Sequence, residues 1–109
     1  MKSPTPGKPV RGSRSGRPIM ALLDLLGRRM ALRILWELSR ASGPLTFRAL
    51  QDAVGTNPAL LNTRLKELRA VGLVVHGGYG YALGEQGKAL VLLLLPLADW
   101  ADTWAVDAK

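Results

Sequence analysis

Asn62, Thr63, Lys66 and Arg69 bring an amide, a hydroxyl and two cations into one short stretch of chain. An amide donates and accepts at once, a hydroxyl does either, and an ammonium or guanidinium attracts phosphate. The chemistry on offer is therefore hydrogen bonding to a polar edge and charge pairing with a polyanion. Covalent catalysis has no comparable set. The chain holds one histidine, His76, and no cysteine, and neither a serine-histidine-acid series nor paired carboxylates fall in a predicted cleft. His76 lies on a predicted strand beside glycines, where a surface residue is expected rather than a catalyst or metal ligand. We expect no enzyme activity and no cofactor. Without cysteine, disulfides, thiolate metal sites and thiol redox chemistry are excluded together.

The four polar residues need a rigid element to present them, and residues 57–72 have the signals of a helix of about four turns. Asn57 suits the N-cap, Pro58 the first helical position, and Gly72 the stop. Leu61, Leu65 and Leu68 fall at i, i+4 and i+7 and make one apolar stripe, so Asn62, Thr63, Lys66 and Arg69 point elsewhere. Any amphipathic surface helix has such a polar face, and its neighbours decide what the face is for. Upstream, Ser42-Gly43-Pro44 is a turn and Thr46 can cap a helix over 47–54, with Leu45, Phe47, Leu50 and Val54 as apolar contacts. Gly55-Thr56 then gives a tight break. Two helices so joined form a helix-turn-helix, whose second helix is the one presented to a groove. Downstream, residues 73–76 and 81–83 read as strands around Gly77-Gly78-Tyr79-Gly80, a hairpin wing whose tip carries no Lys or Arg. Tyr79 either packs on a sugar or covers the hairpin.

The flanks supply the core and an interface. Residues 19–26 predict a short apolar helix stopped by Gly27. A longer one follows over 28–41, with Ala31, Ile34, Leu35 and Leu38 buried and Arg33 paired with Glu37. Arg28 and Arg29 then sit at a helix start, where the dipole disfavours cations. Either they extend a phosphate-facing surface or they are tolerated at a solvated end. The last helix, about 85–105, is more apolar than one side of a small domain can bury. Leu90, Leu93, Leu97, Trp100 and Trp104 form a seam. With Leu94, and with Leu22 and Leu26 of the first helix, this seam predicts a homodimer interface. Pro96 should kink the helix. The uncharged run 89–98 is too short to span a bilayer, so no membrane span is expected.

Charge is unevenly distributed. Of the net +7, Lys2, Lys8, Arg11, Arg14 and Arg17 supply +5 ahead of residue 19, without an acid among them. Residues 1–18 are rich in Pro, Gly and Ser and predict a disordered basic arm, while 19–109 form one domain. A polyanion such as nucleic acid suits this field. Arg14-Ser15-Gly16-Arg17-Pro18 contains the Gly-Arg-Pro core of an AT-hook without the arginine before the glycine. Arg11, Arg14 and Arg17 are accordingly candidates for minor-groove contact, with a solvating tail as the alternative. No secretory signal is evident at the N-terminus, and a cytoplasmic location is expected.

Taken together the elements predict an α+β, mainly α fold: a winged helix-turn-helix with a short two-stranded wing and a long C-terminal dimerisation helix. The chain resembles the winged-helix transcriptional regulators, most closely the HxlR type of bacteria and archaea. The likeness rests on Leu22-Leu23-Asp24-Leu25-Leu26-Gly27, Ile34-Leu35-Trp36-Glu37-Leu38, Gly43-Pro44-Leu45-Thr46-Phe47 with Leu50, and Asn57-Pro58 with Leu61. It continues in Thr63-Arg64-Leu65-Lys66-Glu67-Leu68, Gly72-Leu73-Val74 and Gly84-Glu85-Gln86-Gly87-Lys88-Ala89-Leu90, and covers about residues 17–105. MarR-like and ArsR-like regulators share much of this pattern. Many members carry a cysteine before the proline of the first helix. Here Arg17 precedes Pro18, so thiol sensing is not carried over. The family's Gly-Lys-Trp becomes Arg28-Arg29-Met30, its wing is longer, and Ala59 and Leu60 replace polar residues of the first recognition turn.

The resemblance implies a dimer on double-stranded DNA, regulating transcription at an inverted repeat, its small-molecule effector unknown. In that mode Asn62 faces a base edge, Thr63 a base edge or a phosphate, Lys66 and Arg69 face phosphate, and Arg64 is a phosphate clamp or a packing residue. Thr46, Arg48 and Asn57 lie at helix starts where a phosphate would sit. The alternative is a winged-helix protein-interaction module with weak or nonspecific DNA binding.

Overall fold

A computed structural model describes residues 17–108, in which five helices enclose a two-stranded antiparallel sheet. Apart from Arg17 and Pro18, the expected arm lies outside the described residues. Helix α1 is Pro18–Leu26, α2 Ala31–Arg40, α3 Phe47–Val54, α4 Pro58–Ala70 and α5 Glu85–Asp107, with strands β1 (Val74–Gly77) and β2 (Gly80–Leu83) between α4 and α5.

The caps of the helix-turn-helix are those expected. The Thr46 hydroxyl accepts from the Ala49 amide at 3.1 Å, and the Asn57 side-chain oxygen accepts from the Leu60 amide at 2.8 Å. Gly55 ends α3 at φ +76°, a left-handed conformation that glycine adopts without steric cost. Leu50, Leu61, Leu65 and Leu68 are fully buried with Ile34 and Leu35 of α2, and Val74 and Leu83 close the core from the sheet.

Two expectations are corrected, the start of the second helix and the membrane argument for the last. The second helix begins at Ala31, not at residue 28, because Met30 is left-handed at φ +73°. Such a conformation costs an L-residue about 1–2 kcal/mol, and the Met30 side chain packs against the core in compensation. Residues 27–30 are thus a turn. The last helix is unbroken for 23 residues although Pro96 lies inside it. Proline removes one backbone donor but does not end the helix. The length argument against a membrane span therefore fails: by length and composition alone α5 is long and apolar enough to cross a bilayer.

The wing is short and closely seated. Val74 pairs with Leu83 and Gly77 with Gly80, leaving Gly78-Tyr79 as a two-residue turn. Leu45 bridges to Tyr81 through two backbone hydrogen bonds, of 2.9 and 2.7 Å, and so adds a third short partner at the outer side of β2. Gly80 makes this approach possible: its φ is +130°, and a Cβ there would overlap the Leu45 carbonyl. Gly87 does the same for α5, where a Cβ would overlap the Leu73 carbonyl.

Gly80→Ala is expected to destabilise the fold by about 1–3 kcal/mol, the scale of a forced backbone conformation. Urea unfolding followed by circular dichroism measures it, with Gly78→Ala as the comparison, since nothing lies within 4 Å of a Cβ at Gly78.

Candidate nucleic-acid interface

The outward face of α4 consists of Pro58, Ala59, Asn62, Thr63, Lys66, Arg69 and Ala70, all exposed. The helix turns its leucines inward, and a second, polar constraint holds it in that rotation. Glu67 is buried at 7% exposure and binds two guanidinium groups. Arg28 pairs with its Oε2, and Arg64 Nη1 donates to its Oε1 at 3.0 Å. Arg28 also reaches Asp24 Oδ2 on α1 at 3.3 Å, and Arg64 Nε donates to the Arg29 carbonyl at 2.8 Å. Two carboxylates and two guanidiniums so tie α4 to α1 and to the turn before α2.

This network changes the reading of three cations. Arg28 is neither phosphate-facing nor at a solvated helix start; its side chain is 9% exposed, within the ion pair. Arg64 is the packing residue of the two roles open to it, its guanidinium directed at Glu67 and the Arg29 carbonyl. That counts against Arg64 as a DNA contact. Glu67 itself went unnoticed in the sequence. The available signal was its spacing: it adjoins Leu68 of the apolar stripe and lies three residues after Arg64, so a carboxylate there had to be buried with a partner.

The other candidates divide by what already occupies them. Thr46 and Asn57 use side-chain oxygens as caps. Thr63 donates to the Ala59 carbonyl at 3.1 Å, leaving its oxygen lone pairs outward. Asn62, Lys66, Arg69 and Arg48 are exposed, as is Arg17 at the N-cap of α1, while Arg11 and Arg14 lie outside the described residues. Tyr79 is 88% exposed at the wing tip and so does not cover the hairpin. Beside α4 the wing forms a cleft of about 540 Å³ lined by Lys66, Arg69, Ala70, Val74, Val75 and His76.

On the opposite side, α5 buries only Gly87 and Val91. Leu93, Leu97, Trp100 and Trp104 of the expected seam are exposed, and the two indoles stack at 5.7 Å. Leu22, Leu26, Leu90 and Leu94 are half-buried. An apolar groove of about 370 Å³ runs between α2 and α5, lined by Leu32, Trp36, Val91, Leu94 and Leu97 among others.

Residues 28–75 match the family model described as winged helix-turn-helix DNA-binding. The fold is thus a winged helix-turn-helix with a C-terminal helix, and it matches HxlR-like structures. It is similar to a solved structure described as a possible HxlR family transcriptional factor from Thermoplasma volcanium GSS1, at 27% identity and TM-score 0.70, over 81% of this chain and 83% of that one. It is similar also to quinone-bound YodB from B. subtilis, at 29% identity and TM-score 0.71, over 78% of this chain and 96% of that one. Diamide-treated YodB from B. subtilis aligns at 27% identity and TM-score 0.63, over 77% and 89% of the two chains. No curated protein matches the sequence.

Glu67→Ala leaves the buried Arg28 without its α4 partner and is expected to cost about 3–5 kcal/mol. Arg33→Ala removes the solvated pair with Glu37, where Arg33 is 55% exposed, and should cost under about 1 kcal/mol. Chemical denaturation of the two variants side by side measures the contrast.

Proposed function

We propose that the protein is a sequence-specific regulator of transcription that binds double-stranded DNA in the cytoplasm as a homodimer. The supporting observation is the outward face of α4, where Asn62, Thr63, Lys66 and Arg69 are exposed on a helix whose rotation is held by leucines on one side and by the Glu67 network on the other. Such a helix meets base edges with its N-terminal half and phosphates with the rest. Asn62 is the base reader, through the paired donor and acceptor of adenine's major-groove edge. Thr63 offers acceptor lone pairs to a base or, through a rotated hydroxyl, a phosphate. Lys66 and Arg69 face the backbone, as do Arg48 at the start of α3 and Thr46 and Asn57 beside the amide ends they cap. Tyr79 reaches a sugar from the wing, and Arg11, Arg14 and Arg17 add affinity from the arm.

The exposed seam of α5 supports a second copy of the chain as its cover. Leu93, Leu97, Trp100 and Trp104 share one side of the helix, continuous with the α2 groove through Leu97, and Leu90 and Leu94 of the same helix, with Leu22 and Leu26 of α1, would extend the interface. A bilayer would also cover α5, but Asp99 and Asp102 lie within its apolar length and oppose it. Two subunits related by a two-fold axis present two α4 helices about 34 Å apart, which suits an inverted repeat. The plain wing tip and Ala59 favour the other reading, a protein-interaction module. Selection of bound duplexes from a random library decides between them: a palindromic motif supports the regulator, and no enrichment supports the module.

Two outcomes are expected of variants. Asn62→Ala should lose about 1–3 kcal/mol of discrimination at one base position, whereas Lys66→Ala should weaken all sequences alike and lower the salt slope by about 0.9; anisotropy titrations on matched and mismatched duplexes separate the two. Leu93→Glu combined with Trp104→Glu should give a monomer by sedimentation velocity and weaken the palindrome about 100-fold or more through lost avidity. Partition of the parent chain into lipid vesicles would instead assign α5 to a membrane.

A further inference from the structure

The short sheet has one side in use and one side open. Tyr81 of β2 donates its amide to the Leu45 carbonyl at 2.7 Å, and its carbonyl accepts from the Leu45 amide at 2.9 Å. In an antiparallel ladder, facing residues either exchange both backbone bonds or direct both away from each other. His76 faces Tyr81. Its own N–H and C=O therefore point to the other side of β1, where no further strand pairs among the described residues. β1 is an edge strand with a donor and an acceptor on offer.

The cleft between α4 and the wing runs along that edge. Consecutive residues of a strand point to opposite faces, and Val74, Val75 and His76 all line the space, so it follows the backbone of β1 rather than one face of the sheet. Across it stand Lys66, Arg69 and Ala70 of α4, and no carboxylate is in the lining. Lys66, Arg69, Ala70, Val75 and His76 are all exposed. The four residues of β1 give an edge of about 13 Å at about 3.3 Å each, which suits a short linear segment.

We infer that the β1 edge takes an extended acidic peptide as a further strand of the sheet, with the peptide's carboxylates turned to Lys66 and Arg69. In this mode of recognition main-chain bonds to the edge supply affinity, and alternate side chains supply selectivity. Edge and charge together fix the chemistry of the occupant. A phosphodiester answers the two cations but carries no donor for the His76 carbonyl. A neutral strand answers the edge and leaves the cations without a partner. A peptide alternating acidic with apolar residues answers both. The peptide site stands without the DNA-binding reading, and only its consequence rests on that reading: Lys66 and Arg69 are shared, so peptide and duplex exclude each other, and an acidic partner releases the protein from DNA.

The test is anisotropy of a short labelled peptide in which Glu and Val alternate, titrated with the full chain. Two further peptides of the same sequence are N-methylated at one or the other alternate set of backbone amides. The parent peptide should bind, and one methylated set, not both, should weaken it roughly tenfold, the scale of one or two lost backbone hydrogen bonds. Lys66→Ala and Arg69→Ala should each weaken it about two- to fivefold, and the His76 amide should gain protection from hydrogen exchange. His76→Pro removes the outward N–H from an edge strand, where proline is accommodated; it should lose the peptide and keep the duplex. Should that variant unfold by circular dichroism, the methylated peptides decide. No binding of the parent peptide, equal binding of all three peptides, or equal binding of a peptide alternating Lys with Val overturns the inference. Unlabelled peptide should displace a labelled duplex, and a complex holding both overturns the exclusion. If the wild type binds no duplex, the functional reading fails, while the peptide measurements still decide the edge site.

Discussion

Glu67 is a carboxylate inside a leucine core, and the geometry of the outward face of α4 depends on how it is satisfied. A buried charge of this kind must be neutralised by partners within reach. Arg64 supplies one from the same helix and Arg28 the other from the turn between α1 and α2, with Asp24 balancing the second guanidinium. Leucine contacts are non-directional and would allow α4 to roll by some degrees about its axis. Ion pairs with defined oxygen partners do not. The rotation that buries Glu67 is the one that turns Asn62, Lys66 and Arg69 outward, so a buried ion-pair network selects the exposed polar face.

The same economy governs the turn before α2. Met30 accepts a left-handed conformation, and the turn it creates lets Arg28 enter the interior instead of starting a helix. Arg29 contributes its backbone carbonyl to Arg64 while its side chain stays exposed. Two adjacent arginines of the same type thus have unrelated roles. On the far side, Gly80 and Gly87 let backbones approach where any side chain would collide, and they seat the wing and the long helix against the domain. The wing is placed by contacts at its base, through Leu45 and Tyr81, rather than by length or charge at its tip.

α5 is the opposite case, an element whose own domain covers little of it. Its inner side needs only Gly87, Val91 and the groove residues to dock, and the leucines and tryptophans of the seam stay in water. The structure described as a possible HxlR family factor and quinone-bound YodB are similar to this chain over more than three quarters of its length. The excess apolar surface makes the helix the part of the molecule whose environment matters most for its stability.

Much of this was legible from the residues. Asn57-Pro58 and Thr46 announce helix starts because capping is local, and the leucine spacing of α4 and the alternation around Gly77 to Gly80 follow from backbone periodicity. The winged architecture and its HxlR likeness follow from the order of those signals, and Asn62, Lys66 and Arg69 fall outward by the same period. Position 28 was misread because a cation after Gly27 has the local look of a helix start, whereas its partner lies 39 residues away. Arg64 and His76 are similar: one is drawn inward by Glu67 and the other is brought beside Lys66 by the sheet, and neither contact is encoded in neighbouring residues. Sequence alone determined the elements, their order and which faces are apolar, since these depend on short-range sterics and periodicity. The tertiary structure decided which charges are spent inside the domain and which remain for a partner, because an ion pair is a property of distance in space.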